Sequence, residues 1–432
     1  MKWQLGSRIV AVVLLAALLL GATDATAQTR IRFEIPGASD ELRDAILASS
    51  LLSTAKADGT DAPQDLLAAA QADYARILGA LYANARYGGV ITIAVDGREA
   101  AGLQVLSPPP RIRSIIVRVN PGPLYRFGEA RVGPLPAGTA PPEAFRAGRP
   151  ASTDAIRDAG TQAIDAWRAQ GHAKADIAQQ RITAQHAQDR INARLAIAPG
   201  PRLRFGQVGI AGNEDVRSRR IRTIAGLRPG PVYDPKEIAR AETRLRRTGA
   251  FSAVTVSEAE DIGPNDSLPL TIEVVEATPR RFGFGAEYST IEGVRLSGFW
   301  LHRNFLGGAE RFRVDGDVAG LGGETGGIDY TFGARYERPA TPRADIDLFA
   351  ELQFEALDEP DYSADTLKFT LGFTRYATDH LTVEFGLGYL YSDTTDAFGT
   401  ESYNLLTLPL AAENDRRDNE LDPKDGYYVD LE

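Results

Sequence analysis

Two periods of apolar residues divide the chain near residue 279. Before it, runs that alternate every second residue are interleaved with runs spaced three and four apart; after it only the alternation remains. In the first stretch one pattern recurs. An alternating strand meets a Pro/Gly break and then an Arg-Phe-Gly strand: Ile115–Val119 and Pro121-Gly122-Pro123 before Arg126-Phe127-Gly128, Ile191–Ile197 and Pro199-Gly200-Pro201 before Arg204-Phe205-Gly206, and Leu270–Val275 before Arg281-Phe282-Gly283. These copies lie 78 and 77 residues apart, which marks a structural repeat. Between them the spacing of Ile156, Ala159, Ala163, Ile164 and Trp167 predicts a helix over 152–170 that stops at Gly171. Ile238, Ala241 and Leu245 predict one over 235–248 that stops at Gly249, again 78 residues on. Strands follow at 177–182 and 251–256. A looser N-terminal copy has helices near 40–52 and 62–85 and a strand at 89–95. Each repeat reads strand–helix–helix–strand–strand, a small α+β domain, with expected spans 28–121, 122–199 and 200–278. The competing reading is one large α+β domain with accidental repetition.

From 279 to 432 the pattern is strands of about nine to thirteen residues between glycine-rich turns. Ile328, Tyr330, Phe332, Ala334 and Tyr336 alternate with polar or small residues, and so do Ile346, Leu348, Ala350, Leu352 and Phe354, then Leu367–Phe373 and Val383–Tyr389. One face is apolar and aromatic while the other carries charges. A soluble sandwich alternates too, but strand length and aromatic ends favour a membrane barrel, with lipid outside and a wet lumen containing Asp315, Asp317, Asp345, Asp347 and Glu351. Strands are expected to begin near Arg281, Val294, Arg311, Ile328, Asp345, Leu367, Leu381 and Tyr403. A ninth starts at Tyr427, so these residues are expected to be the N-terminal part of a larger barrel.

Composition sharpens this picture. Lys2 and Arg8 precede a twelve-residue apolar run, Ile9–Leu20, and Ala25-Thr26-Ala27 supplies a cleavage site; residues 1–27 are expected to be a signal peptide, since the run is too short for a core of roughly 30 Å. The absence of cysteine excludes thiol chemistry and disulfides, and four scattered histidines lack metal-site spacing. There is no Gly-x-Ser-x-Gly or His-Glu-x-x-His, so no enzyme, metal or cofactor is expected. Residues 280–432 hold 14 Lys+Arg against 29 Asp+Glu, making the barrel acidic, whereas residues 200–250 hold 12 against 5. That basic segment includes Arg217, Arg219, Arg220, Arg222, Arg244, Arg246 and Arg247. Anionic head groups or the acidic barrel turns could attract it, or it could be an ordinary solvated face; nucleic acid is excluded by the compartment.

The repeats resemble POTRA domains, and three of them before a barrel resemble the TamA family, the outer-membrane subunits of the translocation and assembly module. Two motifs carry the likeness: the turn Asn304-Phe305-Leu306-Gly307-Gly308 is similar to that family's N-x-x-G turn, and Asp415-Arg416-Arg417-Asp418-Asn419, with Pro423 and Gly426-Tyr427, is similar to its mid-barrel signature. The resemblance implies a barrel of about sixteen strands with a seam between first and last. It also implies outer-membrane lipid around the barrel, unfolded outer-membrane or autotransporter clients, and a TamB-like inner-membrane-anchored partner.

The function expected on this basis is assembly without covalent chemistry: a client strand pairs temporarily with the first barrel strand at the seam, and the repeats form a periplasmic docking arm. That strand is Arg281, Phe282, Gly283, Phe284, Gly285, Ala286, Glu287 and Tyr288. Phe282, Phe284, Ala286 and Tyr288 would face lipid. Gly283 and Gly285 either weaken packing at the seam or relieve crowding in a curved strand. The alternatives are a two-partner secretion pore or a passive outer-membrane channel.

Overall fold

The computed structural model describes residues 29–106, 108–323 and 326–432. The apolar N-terminal run and cleavage site lie outside the described residues. Among those described, no helix is long and apolar enough to cross a membrane. The chain divides into two compact units, one of residues up to 166 with 175–199, the other of 167–174 with 200–432.

The first unit begins with β1 (Arg30–Glu34), α1 (Asp40–Ser49), α2 (Leu51–Asp58), α3 (Pro63–Ala83), β2 (Val90–Val95), the short β3 (Arg98–Glu99) and β4 (Ser114–Asn120). The strands form one sheet in the order β1-β4-β2-β3, with β1 and β4 parallel. Its core is Ile46, Leu52, Leu66, Ile77, Leu81, Ile93 and Val117. A fully buried carboxylate, Asp73, accepts hydrogen bonds from the Leu51 and Leu52 amides at 2.7 and 3.1 Å and from the Ser50 hydroxyl, so the free N–H groups at the start of α2 are satisfied from α3.

A second sheet follows, built from β5 (Arg126–Gly133), α4 (Thr153–Arg168), β6 (Asp176–Gln185) and β7 (Arg190–Ala198), in the order β5-β7-β6. Here the expected strand–helix–helix–strand–strand order fails. Residues 134–152 contain no helix, because Pro134, Pro136, Pro141 and Pro142 remove donors and Gly138 takes φ +80°. Phe145, packed edge-on against Phe127, fills the space a first helix would cover. Gly171 and Gly249, placed by the sequence at helix ends, have φ of +97° and +69°.

The second unit holds β8 (Arg204–Ala211), α5 (Ser218–Ala225), α6 (Pro235–Arg247), β9 (Phe251–Glu258) and β10 (Ser267–Glu276), in sheet order β8-β10-β9. The antiparallel wall then runs through β11 (Arg280–Ser289), β12 (Gly293–His302), β13 (Arg311–Leu321), β14 (Asp329–Arg338), β15 (Ile346–Glu359), β16 (Tyr362–Tyr376), β17 (Leu381–Asp396), β18 (Gly399–Thr407), β19 (Leu410–Asp415) and β20 (Tyr428–Leu431). Neighbours in sequence pair throughout, except that β18 and β19 both pair with β17 and keep one register across Leu408-Pro409. They are one strand interrupted where Pro409 has no N–H to donate. The eighth expected strand therefore comes in two pieces, and β20 is the ninth.

Adjacent rungs of this wall have opposite chemistry. Ala334, Leu352, Phe369, Tyr389 and Leu406 lie opposite one another across five strands, and the last four are exposed. One residue along, the rung is Arg335, Glu351, Thr370, Gly388 and Thr407. A period of two thus sends an apolar belt to lipid and a polar surface to the lumen. On the polar side Arg335 donates to Glu337, Glu351 and Glu384 at 2.8, 2.9 and 3.0 Å. Asp345, expected in the lumen, lies instead in the turn before β15, where alternation has ended and a different partner holds it.

Phe369 lies at the middle of β16. Replacement with arginine is expected to lower stability in lipid vesicles by roughly 2–4 kcal/mol, against less than about 1 kcal/mol for Lys368→Gln on the other face. Reversible urea unfolding measures both, and equal costs would remove the inside-out assignment.

Candidate functional site: the first barrel strand and the joint beneath it

Two places combine the residues singled out by the sequence. The first is β11, which pairs with β12 over ten residues without interruption, from Arg280 opposite His302 to Ser289 opposite Gly293. Among the described residues its other edge has no partner strand. Phe282, Phe284 and Tyr288 are exposed, Phe284 at 88%, and Ala286 shares their face. On the opposite face Gly283 lies across from Phe299, Gly285 across from Ser297 and Glu287 across from Arg295.

A Cβ on Gly283 would overlap the Phe299 ring, and one on Gly285 would come within 2.6 Å of Ser297 Oγ. Phe299 is covered in turn by Arg313, whose guanidinium carbon is 4.4 Å from the ring centroid, with Arg281 at 5.9 Å. The stack of glycine, phenylalanine and arginine recurs inside the wall: Gly372 lies opposite Phe349, a Cβ there would fall 2.5 Å from Phe349 Cζ, and Arg335 sits 4.4 Å from that ring. An interior strand pair uses the same device, so the space above Gly283 has a packing cause that does not require a seam.

The second place is the joint between the third repeat and the turns of the wall. In the turn after β12, Asn304 Oδ1 accepts from the Ala309 amide at 2.9 Å and Gly307 takes φ +77°. Its backbone faces the repeat, where the Arg217 amide donates to the Gly307 carbonyl at 3.0 Å. Glu310 closes the turn. Only 2% exposed, it accepts from the Gly308 amide at 2.7 Å and has Arg217 and Arg338 at 3.9 and 4.0 Å. Arg220 donates to the carbonyls of Pro339 at 2.5 Å and Gly308 at 3.4 Å; burial, with Arg338 nearby, pulls its guanidinium below the usual arginine range. Ala309 and Ala340, one from each turn, are buried in the core of the repeat.

Arg244 completes the joint. It projects from α6, donates Nη1 to the Ala225 carbonyl at the end of α5 at 3.0 Å, and holds Asp345 by two bonds of 2.8 and 2.7 Å. That pairing lowers the Asp345 carboxyl and raises the Arg244 guanidinium. Arg247 stacks on Tyr376 at 3.3 Å from the ring centroid, with Asp345 3.9 Å away. The seven arginines of the basic segment therefore do not share one role. Arg217, Arg220, Arg244 and Arg247 contact the barrel turns; Arg222 donates to Val208 and Arg246 pairs with Glu242, both inside the repeat; the Arg219 carbonyl accepts from the Thr223 hydroxyl, and its guanidinium has no partner among the described residues.

The mid-barrel motif is a self-bonded turn between β19 and β20. Arg417 grips Asp415 at 3.0 and 2.7 Å, reaches the Glu420 carbonyl at 3.1 Å and lies 4.7 Å from the centroid of Tyr428. Asp418 accepts from the Lys424 and Asp425 amides at 2.9 and 3.1 Å, and these bonds lower its carboxyl. Asn419 accepts from the Leu421 and Asp422 amides at 2.9 and 3.2 Å, Gly426 has φ +100°, and Pro423 lies within the loop. Aspartate and asparagine hold such turns because their short side chains reach backbone amides two to seven residues on.

Glu310, Asp345, Pro339, Tyr376 and Phe299 were not singled out as site residues by the sequence. Glu310 had one available signal, a lone carboxylate two residues after Gly308. The Arg244–Asp345 pair spans 101 residues; its signal was the general one of a basic segment beside acidic barrel turns, which did not name the partner. Among the described residues no cluster could hold a metal ion.

Two substitutions test these contacts. Asp345→Asn is expected to loosen the third repeat by about 1–2 kcal/mol, less than for a fully buried pair because Asp345 is half exposed. Amide exchange in α5 and α6 reads the change. The Asp345 carboxyl is lowered in the folded protein, so its contribution is complete above its unfolded value near 4 and is lost as pH falls through the lower folded value; exchange should therefore rise only in acid. Gly283→Val is expected to cost about 1–3 kcal/mol by overpacking, and Gly283→Val with Phe299→Ala should recover part of it. No recovery would refute the packing account of Gly283.

Comparison with known families agrees with this geometry. Residues 203–277 match the POTRA family, described as a surface antigen variable number repeat, and residues 304–432 match the Omp85 superfamily domain. Among solved structures, BamA from Haemophilus ducreyi lacking POTRA domains 1–3 is similar at 14% identity and a TM-score of 0.54, covering 71% of this chain and 62% of that one. The POTRA3–5 segment of Haemophilus influenzae BamA (16% identity, TM-score 0.39, 57% and 96% covered) and CdiB from Escherichia coli (11%, 0.40, 68% and 57%) are more distant. The chain thus spans about three-fifths of the length of the Haemophilus ducreyi BamA chain, and at this identity the likeness concerns the fold alone. The chain carries a POTRA repeat and an Omp85 superfamily domain in an outer-membrane β-barrel fold whose POTRA domains are periplasmic.

Proposed function

We propose that the protein is an outer-membrane assembly factor of the TamA type, which helps autotransporter-type β-barrel proteins insert or cross. The observation that carries the reading is β11: the first strand of the wall, paired with β12 over ten residues, with Phe282, Phe284 and Tyr288 on its lipid face, directly after a repeat held to the barrel turns. A client strand entering hydrocarbon must pair its amides, and each unpaired group costs several kcal/mol. β11 offers those bonds temporarily, by strand addition. The joint at Arg244 and Glu310 holds the third repeat at the turns from which β13 and β15 rise. The remaining repeats act as a periplasmic arm, and a TamB-like protein anchored in the inner membrane is the partner this reading implies.

A passive cation channel fits less well. The acidic lumen residues are largely paired, Asp317 with Arg295, Asp315 with Arg313, and Glu351 and Glu384 with Arg335.

Single cysteines at positions 282–288 in proteoliposomes test the proposal against a stalled autotransporter barrel carrying a cysteine in its terminal strand. Cross-links at alternate positions are expected. Cross-links nowhere along β11, with client assembly intact, would end the strand-pairing reading.

A further inference from the structure

The pocket between α5 and the turn after β14 carries more positive charge than the joint requires. It has a volume of about 550 Å³, in the range of small-ligand sites, and is lined by Arg217, Arg219, Arg220 and Arg338 together with Thr223 and Thr341; no acidic residue lines it. Among the described residues the four guanidiniums have one ion-pair partner, Glu310. Arg217 and Arg338 approach it only to 3.9 and 4.0 Å, beyond hydrogen-bond reach. Arg220 bonds the Pro339 and Gly308 carbonyls, the Arg219 guanidinium bonds nothing, and Arg338 Nε is buried without a partner. Like charges this close repel, and such a cluster is costly unless an anion joins it.

The helix beside the pocket is charged against its own dipole. α5 starts after Arg217, has no side-chain cap and has no acidic residue in its first turn, where Arg219 and Arg220 stand instead. That end of a helix favours anions and disfavours cations. α6, in the same repeat, has the opposite and favourable arrangement, with Asp234 as cap, Glu237 in the first turn and Arg244, Arg246 and Arg247 in the last. Arg338 fixes the height of the pocket. It continues the lipid-facing parity of Phe332, Ala334 and Tyr336 and stands opposite Leu348 at the end of β14. The turn beyond it meets the periplasmic repeat, so the pocket lies level with the lipid head groups on the periplasmic side.

We propose that this pocket holds the phosphate of an anionic phospholipid from the periplasmic leaflet, with Arg219 and Arg338 as its principal contacts and the acyl chains against the lipid face at Tyr336 and Leu348. Guanidiniums suit phosphate because their paired N–H groups match two of its oxygens. A zwitterionic head group fits less well, since it brings its own cation to the same arginines. The basic segment thus divides its attractions: Arg244 and Arg247 take the acidic turn at Asp345, and the group around Arg219 takes the head group. A lipid that bridges α5 to β14 ties the third repeat to the wall through the membrane, so the joint tightens as the anionic fraction of the leaflet rises. The site does not depend on which clients the barrel serves.

The test titrates the full chain in zwitterionic detergent with short-chain phosphatidylglycerol, phosphatidylcholine of the same chain length, or inorganic phosphate. Amide exchange in α5 and at Ala340 and Thr341 reads occupancy. Phosphatidylglycerol should slow exchange at a lower concentration than either of the others, and less strongly in high salt. Combined Arg219→Gln and Arg338→Gln substitution should raise the concentration needed by at least about tenfold. Arg219→Gln alone, which removes a guanidinium that bonds nothing in the fold, should raise it about threefold and keeps the test valid if the Arg338 change loosens the turn. As a control, Arg131→Gln with Arg181→Gln removes two exposed arginines of the second repeat and should leave the titration unchanged. No effect of Arg219→Gln, or an equal effect of the control pair, overturns the proposal. Phosphatidylcholine matching phosphatidylglycerol overturns it as well, because acyl chains alone would then explain binding. Protection by phosphate at the same concentration would make the pocket a free-anion site and not a lipid site.

Discussion

Hydrocarbon cannot hydrogen-bond, and that constraint governs the C-terminal part of this chain. A strand in lipid is stable only while both its edges are paired, so the seven strands β11–β17 must keep register over ten to sixteen residues each, with alternate residues committed to opposite solvents. A slip of one residue would turn Leu352 and Phe369 inward and send Arg335 to lipid. The lumen-side ion pairs and the arginine-capped phenylalanines follow from the same requirement, because polar groups inside a curved wall crowd one another and must find partners across strands.

The joint beneath the wall solves a different problem. The third repeat is a water-soluble domain, yet its core includes Ala309 and Ala340 from barrel turns, and its helices present Arg220 and Arg244 to turn carbonyls and to Asp345. Small residues allow the backbones to approach, and arginine forks then fix the orientation. In the first unit the buried Asp73 plays a comparable part for α2: one well-bonded charge determines where a neighbouring element begins.

Much of this was legible from periodicity, since alternation and helical spacing are local properties. Wall strands began within five residues of expectation, though β15, β16 and β17 run to 14, 15 and 16 residues, longer than the alternation suggested, and Gly171 and Gly249 marked helix ends by adopting the left-handed conformation. Local reading failed where a partner lay far away or a rule was broken. Repetition suggested a first helix in the second repeat, but four prolines outweighed the family pattern. Asp345 continued the parity of a lumen face although its strand had not yet begun. The basic segment appeared as one face, whereas the fold distributes its arginines among turn contacts, bonds within the repeat and solvent. Gly283 could be noticed in the sequence, but Phe299, the reason for it, could be found only once the two strands were aligned.

The interruption at Leu408-Pro409 has a mechanical meaning. Gly386 donates its amide to the Pro409 carbonyl at 3.0 Å, but proline has no hydrogen to send back, so the zipper between β17 and its neighbour lacks one tooth at this height. Because the register is unchanged on either side, the gap is a soft crease rather than a dislocation. The stave that begins at Gly399 can flex there without forcing the next hairpin out of step.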